Sequence, residues 1–207
     1  MPDLSALLWP DVVAVIGASP EPHILRGRIM EVMLSHDYKG TVYPISRSHE
    51  KIHGRRCYSS IDKVPEQVDL AILIIPAEFV PATLAACGEA GVRAAQILTS
   101  GFSEESGEGG AALEDEIRAI AKRYDMAVFG PNSEGFANSV NALCPTFSPA
   151  VDNTELPLLP PWRQDGHITV VAQSGGMGFA FYDHGRPKEL PFNYIVTTGN
   201  EACLGTL

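Results

Sequence analysis

Runs of apolar, often β-branched residues recur along the first part of the chain, separated by longer segments with apolar residues at helical spacing. We predict strands at 12–16, 41–45, 70–75, 94–99 and 126–129, and helices at 25–35, 79–90 and 109–123. Continuous apolar strands that alternate with helices are typical of a parallel sheet covered on both faces. The pattern therefore predicts an α/β fold for residues 1–147.

The pattern changes after this first domain. Residues 148–166 contain Pro149, Pro157, Pro160 and Pro161 with little periodicity, which favours a proline-rich linker. A new strand–turn–helix–strand sequence occupies 167–207. Two strands and one helix cannot bury their own faces, so we expect these residues to be the start of a second domain that is truncated at its end.

Charge and hydropathy limit the possible partners. The formal net charge is −10, so no general attraction for nucleic acid or for anionic lipid is expected. The apolar runs are far shorter than the ~20 residues of a membrane-spanning helix, and the amino terminus lacks the features of a signal peptide. The four cysteines form no CxxC pair, which favours free thiols and a cytoplasmic location.

A glycine turn follows the first predicted strand, where α/β sheets bind phosphate groups. Gly17 permits a sharp turn, and the small residues Ala18 and Ser19 let a ligand approach the backbone. Ser19 also has the chemistry to cap the next helix or to donate to a phosphate oxygen. Gly27 is expected to allow close packing of that helix.

The dinucleotide fingerprint GxGxxG fails at this turn, because Ser19 and Pro22 occupy its second and third glycine positions. Arg47 and Lys51 follow the second strand, where an NAD site would carry an acidic residue. Basic groups at this point suit a phosphorylated ribose. CoA carries a 3′-phosphate and NADP a 2′-phosphate, so both ligands remain open at this stage.

The segment HEKIH at 49–53 formally matches the zinc-protease motif HExxH. That motif requires a helix that presents both histidines on one face, together with a third ligand. Here the segment is a short connection that Gly54 ends, so we predict a polar loop and no metal site.

Eight short motifs together resemble the nucleoside-diphosphate-forming acyl-CoA synthetases, the superfamily that includes the α subunit of succinyl-CoA synthetase. They are VIGAS (15–19), YP (43–44), GRRCY (54–58), VDLAILIIPAEFV (68–80), SGFSE (100–104), GPNSEG (130–135), AQSGG (172–176) and TGNE (198–201). The resemblance covers essentially the whole chain. It implies a Rossmann-like CoA-binding domain followed by a flavodoxin-like domain, and an acid–thiol ligase that works through an acyl phosphate and a phosphohistidine.

The resemblance also implies a set of site residues. The turn with Gly17, Ala18 and Ser19 would hold the CoA phosphates, and Arg47 or Lys51 would contact the ribose phosphate. Pro76 and Ala77 would line the groove for adenine or pantetheine. The pantetheine arm would contact Thr99, Ser100 and Gly101. The turns with Gly130, Pro131 and Asn132 and with Ser174 and Gly175 would face the phosphohistidine. Ser133 stands where the family usually has cysteine.

The family's phosphohistidine lies beyond TGNE, and no histidine of this chain occupies its position, so no catalytic residue is assigned here. A carboxylic acid, an ATP-grasp domain or subunit, and ATP or ADP with Mg²⁺ would complete the full-length enzyme. Two alternatives are a stand-alone CoA-binding regulatory module and an NADP-dependent oxidoreductase.

Overall fold

The computed structural model describes residues 3–106, 108–152 and 167–206. The described strands are β1 (Val12–Ile16), β2 (Thr41–Ile45), β3 (Lys51–Ile52), β4 (Arg55–Arg56), β5 (Leu70–Leu73), β6 (Ala94–Ile97), β7 (Ala127–Phe129), β8 (Gly135–Asn138), β9 (Ile168–Ala172) and β10 (Phe192–Thr197). The described α-helices are α1 (Ser5–Leu8), α2 (Leu25–Ser35), α3 (Val80–Glu89), α4 (Glu108–Tyr124) and α5 (Gly175–Gly185). Every strand and helix predicted for residues 1–147 is present.

A five-stranded parallel sheet in the order β2-β1-β5-β6-β7 forms the centre of the fold. The chain runs from β1 to β2 on one side and then returns to β5 on the other. Ligands of such sheets bind at the carboxyl ends of the strands, in the crevice where the direction of winding reverses. The gap between β1 and β5 is therefore the expected ligand position.

Both faces of this sheet are covered, as its continuous apolar strands predict. All of β1 is buried: Val13 and Val15 pack with α2, while Ala14 and Ile16 pack with α3 and α4 on the other face. Because successive side chains of a strand point to opposite faces, each strand contributes to both cores. The α/β class with a Rossmann-like parallel sheet is thus confirmed.

A second sheet has the order β8-β10-β9, with β8 antiparallel and β9 parallel to β10. The expectation that the second unit has only two strands is wrong, because β8 lies before the predicted linker and supplies the third. Ala150 and Val151, which fall within the predicted linker, pack in the same core as Phe179 of α5. The domain boundaries stay a prediction, and residues 153–166 of the linker lie outside the described residues.

The outer edge of β7 is covered by the chain that follows β10. The backbone N–H groups of Asn200, Ala202 and Leu204 donate to the carbonyls of Pro131, Gly130 and Val128 at 2.9, 3.1 and 3.2 Å. Ala202 is also buried in the core on the α3 and α4 face. The segment 198–204 therefore fastens the second sheet to the first.

The segment HEKIH is part of a hairpin, and the prediction of a polar loop is wrong. β3 and β4 pair antiparallel, and His53 and Gly54 form the connection with φ of 47° and 75°. Such left-handed angles at both positions belong to a tight two-residue hairpin turn, which local periodicity does not reveal. Within the described ranges, no three His, Cys, Asp or Glu residues cluster closely enough to hold a metal ion.

Among the helices of the described ranges, none is both long and apolar enough to cross a bilayer. The cytoplasmic location stays a prediction.

Candidate functional site

The glycine turn after β1 lies at the switch between β1 and β5. Gly17 has φ of 91°, and its N–H donates to the Ile45 carbonyl of β2 at 3.0 Å. A Cβ atom at Gly17 would stand 2.3 Å from the Ile74 carbonyl oxygen. The position therefore requires glycine for two reasons, the left-handed backbone and the close approach of the neighbouring strand.

Ala18 and Ser19 are both buried beneath this turn. The Ser19 hydroxyl accepts from the Glu21 N–H at 3.3 Å, whereas α2 begins after Ile24 without a side-chain cap. The suggestion that Ser19 caps the next helix is therefore wrong, although its hydroxyl proton can still be donated. Gly27 does allow close packing, since a Cβ there would lie 1.9 Å from the Glu21 carbonyl oxygen.

The turns after β5 and β6 lie side by side at the same edge. Thr99 donates its hydroxyl to the Ile75 carbonyl at 2.7 Å, which ties one turn to the other. Gly101 has φ of 103°, and a Cβ there would lie 3.2 Å from the Ala77 Cβ. Pro76 and Ser100 are exposed beside them. The residues predicted to contact the pantetheine arm are thus contiguous.

The two predicted basic residues follow β2 at this edge. Arg47 lies in the turn after the strand, and Lys51 begins β3. Both side chains are exposed.

A cleft of about 550 Å³ lies between the turn after β7 and the start of α5. The predicted residues Ser100, Asn132, Ser174 and Gly175 all line it. Ser174 caps α5 by accepting from the Met177 N–H at 3.4 Å, so the helix begins at Gly175 as predicted. The amino end of α5 thus opens into the cleft, where free N–H groups favour an anion.

The turn after β7 is fixed from both sides. Gly130 has φ of 94°, and a Cβ there would lie 2.3 Å from the Ile97 carbonyl oxygen. The Asn132 N–H donates to the Thr99 carbonyl at 2.8 Å, and the buried Pro131 accepts from Asn200 as described above. The next element is β8, so this turn joins two strands, whereas the turn at Ser174 opens a helix.

Ser133, at the position of the family cysteine, has two hydrogen bonds. Its hydroxyl donates to the Thr197 carbonyl at 2.5 Å and accepts from the Gly135 N–H at 2.9 Å, with 2% of the residue exposed. Serine at this site therefore fastens the turn to β10.

Sequence reasoning missed a polar network around Asn200. The Asn200 amide donates to Glu114 at 2.8 Å and to Glu104 at 2.5 Å, and it accepts from the Asn132 amide at 3.2 Å. Glu114 is 2% exposed and also accepts from the Ser103 hydroxyl at 2.6 Å. The only sequence signal was the position of Asn200 in the TGNE motif.

The same network changes the ionisation of Glu104. The partial burial of the Glu104 carboxyl would by itself raise its pKa, but hydrogen bonds from Asn200 and from the Gly101 N–H outweigh this effect and lower the pKa. The ionised carboxylate is thus the form that holds the turn after β6.

Comparison with known proteins identifies the family. The model of the family described as CoA binding domain matches residues 11–139. The chain belongs to this CoA-binding domain family. The match spans the five-stranded sheet and extends through β8, so the resemblance inferred from the short motifs is confirmed.

Relatives of this CoA-binding domain protein come from the ADP-forming ligases. The chain is 35% identical over 201 residues to acetate–CoA ligase (ADP-forming) I of Archaeoglobus fulgidus, covering 97% of the chain and 27% of that protein. It is 34% identical over 203 residues to the α subunit of acetate–CoA ligase (ADP-forming) I of Pyrococcus furiosus, covering 96% and 41%. The chain thus resembles the CoA-binding part of these ligases and spans less than half of their length.

A solved structure supports the same fold for the CoA-binding domain protein. The dinucleotide-forming acetyl-coenzyme A synthetase 1 of Ca. Korarchaeum cryptofilum, in complex with phosphate and ADP, matches with a TM-score of 0.86 and 34% identity. The match covers 100% of this chain and 41% of that one. It therefore includes the second sheet as well as the first.

Proposed function

We propose that this chain binds CoA at the carboxyl edge of the five-stranded sheet, as the CoA-binding part of an ADP-forming acyl-CoA ligase. One observation carries the proposal: the turn after β6, assigned to the pantetheine arm, lies next to the cleft that α5 opens into. Ser100 belongs to both, since it lies in the turn after β6 and lines the cleft. The thiol end of a bound CoA would thus arrive where an anion is favoured.

The residues take the following roles in this proposal. The CoA phosphates bind at Gly17, Ala18 and Ser19, and the ribose phosphate binds Arg47 or Lys51. Pro76 and Ala77 line the groove for adenine or pantetheine. The pantetheine arm contacts Thr99, Ser100 and Gly101. Gly130, Pro131, Asn132, Ser174 and Gly175 face the phosphohistidine. Positive φ at Gly17, Gly101 and Gly130 supports these assignments, because it allows the sharp turns that keep these residues together at the carboxyl edge of the sheet.

The reaction of the whole enzyme is a thioester synthesis. The CoA sulfur attacks the carbonyl carbon of an acyl phosphate, the C–O bond to phosphate breaks, and inorganic phosphate leaves with its electron pair while the thiol proton passes to solvent. The chain's own part is to hold the CoA arm and to stabilise the phosphoryl group at the amino end of α5. A carboxylic acid substrate, an ATP-grasp domain or subunit, and ATP with Mg²⁺ complete the proposal.

Calorimetric titration of the 207-residue chain tests the CoA site directly. We expect CoA to bind, and NAD, NADPH and ATP to bind far more weakly or not at all. Ser100→Ala removes a hydroxyl from a residue that lines the cleft. Ser103→Ala removes a hydroxyl from the same turn at a residue that does not line it, and serves as the comparison. Binding of NADPH in preference to CoA would overturn the proposal in favour of a dinucleotide site.

A further inference from the structure

The hairpin formed by β3 and β4 places two cations directly opposite each other. Lys51 pairs with Arg56 across the hairpin, and Ile52 pairs with Arg55. Directly opposed side chains have Cβ atoms about 4.5–5.5 Å apart, and like charges at such positions destabilise the pairing. In the described part of the chain, no ion pair joins Lys51 or Arg56 to a carboxylate.

This pairing is unexpected in a chain whose formal net charge is −10. Acidic residues outnumber basic ones, 25 Asp and Glu against 15 Lys and Arg, so a carboxylate opposite either cation would have been the commoner arrangement. An unbalanced pair of cations is a feature that a bound anion would relieve.

The hairpin is fastened to the edge of the sheet that carries the glycine turn. The Tyr58 N–H donates to the Pro44 carbonyl at 3.1 Å, and the Tyr58 carbonyl accepts from Ser46 at 2.9 Å. Ile45 lies between Tyr58 on one side and Gly17 on the other. Two strand spacings therefore separate Tyr58 from Gly17, which is about 10 Å.

Arg56 is held in place before any ligand arrives. Its guanidinium carbon lies 5.3 Å from the centre of the Tyr58 ring, and Tyr58 packs edge-to-face against Tyr43 with ring centres 5.5 Å apart. On the other face of the hairpin, Ile52 is buried in the core beneath β1 and α2. The buried Ile52 fixes the hairpin, and the aromatic contact limits the rotamers of Arg56, so less entropy is lost when it binds an anion.

We propose that Lys51 and Arg56 together form a two-cation site for a phosphate monoester, the 3′-phosphate on the ribose of CoA. The assignment rests on the proposed function and adds Arg56, a residue that the sequence motifs did not select. A phosphate monoester carries a charge of about −1.5 to −2 near pH 7, which two cations match better than one. Tyr58, against whose ring Arg56 packs, lies about 10 Å from the glycine turn, so this phosphate is separate from the diphosphate of the same ligand.

Calorimetry with CoA and 3′-dephospho-CoA tests the site on the unchanged chain and on single variants. We expect the unchanged chain to bind CoA about tenfold to a hundredfold more tightly than dephospho-CoA. Lys51→Ala and Arg56→Ala should each weaken CoA binding by about tenfold and change dephospho-CoA binding by less than about twofold. Arg55→Ala is the matched control, because it removes the same charge from the other face of the same hairpin.

The outcomes separate the two proposals. If CoA binds but Arg56→Ala and Arg55→Ala weaken it equally, the two-cation site is wrong and the CoA site stands. The same conclusion follows if Arg56→Ala weakens both ligands by the same factor. If the unchanged chain binds neither form of CoA, the proposed function fails. Melting temperatures of the variants without ligand, expected within about 2 °C of the unchanged chain for these exposed residues, exclude unfolding as the cause.

Discussion

Asn200, in the segment that follows the second sheet, donates to the buried carboxylate of Glu114, and replacing it should lower the stability of the chain. In Asn200→Ala the carboxylate of Glu114, 2% exposed, loses one of its donors, and the exposed Glu104 loses another. A hydrogen bond to a charged group contributes about 1.5–3 kcal/mol, and the bond to Glu104 counts for less because water replaces it. We expect the free energy of unfolding to fall by about 2–3 kcal/mol.

Asn200→Asp provides a variant of nearly the same shape with a different charge. A carboxylate at this position faces Glu104 and Glu114, so at pH 7 it should destabilise the chain more than alanine does. The neighbours raise the pKa of the new carboxyl above its ordinary value of about 3.9. A raised pKa in the folded state means that the penalty applies at high pH and is relieved as the pH falls through that pKa.

Thermal unfolding followed by circular dichroism at pH 7 and pH 4.5 measures both effects. For a chain of this size, about 2–3 kcal/mol corresponds to a melting temperature lower by roughly 4–12 °C in Asn200→Ala. The gap between Asn200→Asp and Asn200→Ala should narrow at the lower pH. An Asn200→Asp chain as stable as the unchanged one at pH 7 would refute the reasoning, and so would a gap that does not depend on pH.

Three further predictions follow from single contacts. Gly17→Ala should lower the free energy of unfolding by about 2–4 kcal/mol, because its Cβ would meet the Ile74 carbonyl oxygen at 2.3 Å, and a urea titration with an unchanged midpoint would contradict this. Ser174→Ala should lower the free energy of unfolding by about 1 kcal/mol, because the helix cap is lost. Ser174→Asn should keep most of that stability in the same urea titration, because asparagine can also cap a helix. Burial raises the pKa of Asp69, but hydrogen bonds from Arg93 and from two backbone N–H groups outweigh it and lower the pKa. The stability that Asp69 contributes is thus present above pH ~4 and lost as the pH falls further. The melting temperature of Asp69→Asn should therefore change less between pH 5 and pH 3 than that of the unchanged chain, and an equal change in both would count against this prediction.

The sequence predicts the first sheet well for a physical reason. Strands buried on both faces need continuous apolar runs, and β1 and β5 carry them without interruption. The hairpin was missed because β3 and β4 have two residues each, too few for a period to appear. β8 was missed because its partner β10 lies far along the chain, and no local pattern reports such a pairing.

The residues of the candidate site also include some that the local sequence could place and others that only the fold brings together. The positions of Gly17 and Ser100 at the carboxyl edge could be predicted because each follows a strand, and the sheet rule assigns such positions to the ligand-binding edge. Asn200 and Glu114 are 86 positions apart in sequence, and only the folded chain brings them together. Arg56 was not selected from the sequence, because its proposed role depends on its pairing with Lys51 across the hairpin.

The cover over β7 has a consequence for the order of synthesis. β7 is complete well before the ribosome has made residues 198–204, whose N–H groups donate to the carbonyls of Val128, Gly130 and Pro131. A nascent chain of intermediate length therefore presents an unpaired strand edge, the kind of surface on which one molecule recruits another into an aggregate. A chain that ended anywhere between residues 132 and 197 would leave this edge of β7 permanently unpaired.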